Sequence, residues 1–141
     1  MKIVGVALLL TMAVGIAGCD RREAKCSVDA KAWAKTVFPD PKKRQVVGTT
    51  SHYNKSENAC LVLVEYREEI IDGSWSDNIW LHGANNEQTY GEFSEAHFES
   101  RFDLGSIKVE PTVQVVTCKV GDKKCQGRRE FDDLLRFYLD N

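Results

Sequence analysis

Apolar positions change their spacing several times along the chain, and each change marks an element. After Lys2, an apolar run from Ile3 to Leu10 gives way to small residues, Gly15, Ala17 and Gly18, with no acidic side chain before Asp20. From Ser27, whose hydroxyl suits a helix cap, Ala30, Trp33, Ala34 and Val37 recur at helical spacing, and Pro39-Asp40-Pro41 stops the pattern. Gln45–Tyr53 and Ala59–Glu69 then read as two strands about a turn at 54–58. In the second of these, Cys60, Val62, Val64 and Tyr66 fall on one face. On the other, Leu61 and Leu63 pass to Glu65 and Arg67, so the strand begins buried and ends half exposed.

Asp72-Gly73-Ser74 marks a turn before a third strand, Asn78–Gly83, and Thr89–Phe93 reads as a fourth. Gly91–Phe102 fits an irregular loop, a strand or a short helix equally, and Phe93, Phe98 and Phe102 imply that some of it packs on the core. Thr112–Val120 is apolar on both faces, as an internal strand would be. The clearest helix comes last: Phe131, Leu134, Leu135 and Tyr138 share a face, Gly127 precedes them, and Glu130, Asp132 and Asp133 suit the positive end of the helix dipole. Helix, strands and helix in that order predict an α+β domain: an antiparallel sheet of four to five strands with an N-terminal and a C-terminal helix.

The N-terminal run is too short and too interrupted to span a bilayer, and its small-residue end favours cleavage, which makes residues 1–18 a signal peptide. The boundary Ile16-Ala17-Gly18-Cys19 resembles the lipobox of bacterial lipoproteins. That resemblance implies lipidation of Cys19, with acyl groups such as palmitate holding the mature protein on the periplasmic face of a membrane. Asp20 resembles the residue of lipoproteins kept at the inner membrane. The expected organisation is leader 1–18, lipidated tether 19–26 and one domain over 27–141. Further along, Ser51-His52-Tyr53-Asn54-Lys55, Cys60-Leu61-Val62-Leu63 and Glu130-Phe131-Asp132-Asp133-Leu134-Leu135 resemble segments of small proteobacterial lipoproteins, a resemblance that implies no activity.

Removing 18 of 141 residues leaves 123, a size for one modest core, with 18 basic and 21 acidic side chains and a net charge of −3. No global charge argues for nucleic acid. The charges are segregated, however: residues 20–55 hold nine Lys and Arg against four acids, and residues 57–110 hold twelve acids against three. Arg21, Arg22, Lys25, Lys42, Lys43 and Arg44 stand close to the expected anchor, either solvated or near anionic headgroups.

With Cys19 assigned to lipid, Cys26, Cys60, Cys118 and Cys125 are left, an even number that reads as two disulfides in an exported chain. Three connectivities exist. A turn at Gly121-Asp122 favours Cys118 with Cys125, which leaves Cys26 with Cys60. No Cys-x-x-Cys motif points to metal or redox chemistry.

Candidate chemistry is sparse. His52, His82 and His97 sit on separate elements outside any zinc or triad motif. Glu95, His97 and Glu99 would share a face if their segment were a strand, a carboxylate–histidine set that lacks a fourth ligand. Aromatic residues in the acidic middle section, Tyr66, Trp75, Trp80 and Tyr90, suit a recognition surface, and Trp75, beside a turn, is the one expected to be exposed. The sequence calls for no cofactor. Its leading reading is a lipid-anchored, non-catalytic binding module whose acidic surface engages a basic envelope protein. The alternatives are a small envelope hydrolase, marked by two of the histidines converging beside a serine or carboxylate, and a structural factor, marked by a large exposed apolar patch.

Overall fold

The computed structural model describes residues 17–71, 73–99 and 111–140. The leader through residue 16, the side chain of Cys19, and Phe102 lie outside the described residues.

Six strands form one antiparallel meander in which each strand pairs with its sequence neighbour: β1 (Arg44–Asn54), β2 (Ala59–Ile71), β3 (Ser74–Gly83), β4 (Thr89–Phe98), β5 (Thr112–Val120) and β6 (Lys123–Lys124). Helices α1 (Ala17–Val37) and α2 (Arg128–Leu139) bracket the sheet in sequence and cover opposite faces of it. The α+β class is as expected, and the strand count is higher. Lys123–Lys124 pairs back on β5, and the expected fourth strand, Thr89–Phe93, runs on to Phe98.

Alternation along β2 explains the two-sided core. Its even positions, Val62, Val64 and Tyr66, meet Ala30 and Phe38 of the α1 segment, with Trp33, Val37 and Trp80 packed around them. Its odd positions, Ala59 and Leu61, join Ile79, Leu81, Tyr90, Phe93 and Val120 under Phe131 and Leu135 of α2. Each fully buried aliphatic or aromatic side chain here contributes about 1.5–3 kcal/mol. Gly91 lets α2 come close: a Cβ there would stand 3.1 Å from Leu135 Cδ2. Phe98, one of the phenylalanines expected to pack on the core, is 42% exposed: it is the last residue of β4, and alternation sets it on the face opposite Phe93, away from α2.

Both disulfides join the preferred partners. Cys26–Cys60 is buried and fastens α1 to the start of β2; Cys118–Cys125 closes the β5–β6 hairpin, turned by Gly121 at φ +56°. Helix α1 departs from expectation at its start. Ser27 sits mid-helix rather than at a cap, and residues 19–26, expected as a tether, are helical. No proline interrupts this stretch, and good helix formers such as Arg22, Glu23, Ala24 and Lys25 carry the helix through it. Glu23 also accepts a hydrogen bond from the Tyr53 backbone N–H at 2.9 Å, which ties this early part to the edge strand. At the same end, buried Asn54 holds the β1–β2 turn to α2: its Oδ1 accepts from Ser56 Oγ and Glu57 N, and its Nδ2 donates to the Tyr138 carbonyl at 2.7 Å.

Candidate functional site

The strands extend past the helices, and there the face under α2 carries charge instead of core. The registers Glu69↔Trp75 and Arg67↔Asp77 between β2 and β3, then Trp75↔His97 and Asp77↔Glu95 between β3 and β4, bring six side chains onto one patch. Arg67 grips Asp77 bidentately, Nε donating to Oδ1 at 2.8 Å and Nη2 to Oδ2 at 3.1 Å. That guanidinium holds the Asp77 carboxyl below the usual aspartate range, and the bond raises the Arg67 pKa in turn. The same guanidinium lies 5.2 Å from the centre of the Trp75 ring, within cation–π range, and the other side of this layer is His97, stacked on Trp75 at 5.1 Å and 9°.

His97 Nε2 stands 3.2 Å from Asp77 Oδ2 and 3.3 Å from Glu95 Oε1. Neither approach is aligned as a hydrogen bond. Nε2 of His97 and Nε1 of Trp75 are both buried without an aligned hydrogen bond among the described residues, although Trp75 stands close enough to Asp77 to help hold its carboxyl down. Beside them is a hollow of about 280 Å³ whose lining includes Ile79, Phe93, Glu65 and Arg128. Arg128, from the first turn of α2, has Nη2 3.5 Å from Glu65 Oε1 and Nε 2.9 Å from Asp132 Oδ1.

The expected site residues are placed as follows. Glu95 and His97 do share a strand face; Glu99 lies beyond the end of β4, and no group of three or more His, Cys, Asp or Glu among the described residues is arranged to hold a metal ion. Trp75, expected exposed, is half-buried within β3. The reason is the layer around it: strand pairing sets it between Arg67 and His97. The three histidines do not converge. His52 lies 3.9 Å from Glu23 on β1, while His82 stacks on Trp33 at 4.8 Å on the α1 face, where burial lowers its pKa.

Arg67, Asp77 and Arg128 were not singled out from the sequence. Pairing Glu65, Arg67 and Glu69 against Trp75 and Asp77 across the Asp72-Gly73 turn would have found the first two. Compared with protein-family models, curated proteins and solved structures, the chain matches none.

Proposed function

We propose that the chain is an exported lipoprotein, held through acyl groups on Cys19 to the periplasmic face of a membrane, and that it is a non-catalytic binding module. Its recognition surface is the charged patch around Trp75. The observation that carries the binding reading is the pair of buried, unpartnered nitrogens, Trp75 Nε1 and His97 Nε2, in a half-open cluster. An unmet buried polar group costs about 1–3 kcal/mol, and a ligand that engages both relieves that cost. An ammonium or guanidinium group fits beside Asp77 and Glu95, and a backbone carbonyl of the same partner is the acceptor that Trp75 Nε1, a donor only, requires, so the partner is a basic envelope protein. Two bridges within one small domain support an oxidising compartment. Asp20 favours the inner membrane.

Two measurements test this. Intact mass of the native protein extracted from membranes should show residues 1–18 lost, acyl groups on Cys19 and four oxidised cysteines, and Cys19→Ser should release the domain from the membrane. A soluble, unacylated wild-type species sinks the anchor. A photoreactive residue at Glu69, across the register from Trp75, should capture a basic envelope protein, and Asp77→Asn with Glu95→Gln should abolish the adduct. An adduct unaffected by that double change sinks the site.

A further inference from the structure

We propose that the outward face of α1 is a second binding surface, one that lies against an anionic lipid bilayer. Arg21, Lys25, Val28, Ala32 and Lys35 recur every three or four residues, so they form a single stripe, and all five are exposed. Lys31 flanks the stripe, and Lys42 and Lys43 lie in the turn that follows the helix; all three are exposed. Of the described acids of the helix, Glu23 is turned to the Tyr53 backbone, whereas Asp29 pairs with Lys25 and offsets that one charge of the stripe.

The opposite side of α1 is the one that packs on the sheet through Cys26, Ala30 and Trp33. This leaves a cationic face with small and apolar residues between its charges, about 20 Å long from Arg21 to Lys35. Such a face suits headgroup contact: basic residues are drawn to an anionic surface, and Val28, 66% exposed, can enter the boundary. The rest of the mature chain is acidic, which favours this one orientation. In it the sheet separates the membrane from the Trp75 patch, which faces outward on the α2 side. The location rests on the Cys19 anchor, but the chemistry does not, and the test is made without lipid on the protein.

Residues 20–141 contain both disulfides, all six strands and α2 with nearly all of α1. Exported, oxidised and mixed with sedimenting vesicles at low salt, this chain should bind phosphatidylglycerol–phosphatidylcholine vesicles, release at high salt and ignore pure phosphatidylcholine. Each lysine near the surface is worth about fivefold in partitioning, so Lys31→Gln, Lys35→Gln and Lys42→Gln together should weaken binding by about 100-fold. Arg129→Gln with Arg136→Gln, exposed on the α2 side and outside the Trp75 patch, should leave it unchanged. No binding to the anionic vesicles, an unaffected triple variant, or an equal loss in the α2 variant overturns the proposal. Unreduced mass and near-ultraviolet circular dichroism establish that each variant is folded. Failure here leaves the mass of native Cys19 unaffected, so the two readings are judged separately.

Discussion

Beyond the reach of the helices, the two faces of the same strands carry opposite chemistry. On the α1 side, Phe38, Tyr66 and Trp80 pack as an aromatic cluster, with burial pushing the Tyr66 hydroxyl up to about 12. Past them, a neutral network closes on itself: Ser94 Oγ donates to Asn78 Oδ1 at 2.7 Å, and Asn78 Nδ2 donates to Ser76 Oγ at 2.9 Å. On the α2 side the adjacent positions are Trp75, Asp77, Glu95 and His97, half-buried, charged, and with two nitrogens unmet. Ser76 and Asp77, or Ser94 and Glu95, are one residue apart in sequence and a sheet thickness apart in role. A satisfied buried network stabilises and specifies; the half-open one, without aligned partners, is where the proposed ligand would be engaged.

The comparison can be broken by substitution. The largest effect should come from the covered half: Phe131→Ala, at a fully buried position, should cost about 3–5 kcal/mol by urea titration. A loss near 1 kcal/mol would mean that α2 is not the cover of that core. Next, replacing Cys26 and Cys60 by alanine should cost about 4 kcal/mol, and replacing Cys118 and Cys125 about 2.5 kcal/mol, since the second pair closes a shorter loop. Equal losses would show that loop length is not what separates them.

The sharpest test sets strand neighbours against each other. Asn78→Ala should cost about 1–3 kcal/mol by stranding the two serine hydroxyls, whereas Asp77→Asn, which removes a solvent-screened ion pair, should cost less than about 1 kcal/mol. If Asp77→Asn is the more damaging of the two, the charged patch is structural rather than held for a partner.

The smallest effect concerns pH. His82 has a folded pKa depressed by burial below its ordinary 6.5, so over the interval between the two values the unfolded chain holds more protons. Stability should therefore fall as pH drops below about 6.5, and His82→Gln should flatten that slope in urea midpoints taken at pH 7.5 and 5.5. Asp77 is shifted in the same direction, by its bond to Arg67 first, and has a lower window. Its contribution is present above about 3.8 and lost as pH falls through its depressed folded value, and Arg67→Gln should move the Asp77 carboxyl back up in an NMR titration.

What could be read from the sequence was whatever periodicity writes locally. Phe131, Leu134, Leu135 and Tyr138 announce α2, and the alternation from Cys60 to Tyr66 announces a strand covered on both sides. The cysteine pairing followed from a turn at Gly121-Asp122. Where tertiary pairing overrides local preference, the reading failed. The sequence puts Ser74 in a turn and starts the third strand at Asn78, yet pairing with β2 carries the strand back to Ser74. The Ser27 hydroxyl drew attention as a cap although nothing upstream stops a helix. The charged patch was hardest to see, because its members come from three strands and a helix and only the cross-strand register brings Arg67 to Asp77 and Trp75 to His97.

The Cys26–Cys60 bridge also decides how the molecule bears a mechanical load. Tension entering from the N-terminal side runs along the first turns of α1 to Cys26 and there passes through a covalent link into β2, within the sheet. The helix downstream of the bridge, with Ala30 and Trp33 over their core, is outside the line of force. Pulling can peel residues 17–25, after which the bridge shields the loop from Cys26 to Cys60 and hands the load to β2, so unravelling cannot run on through the rest of α1 and β1.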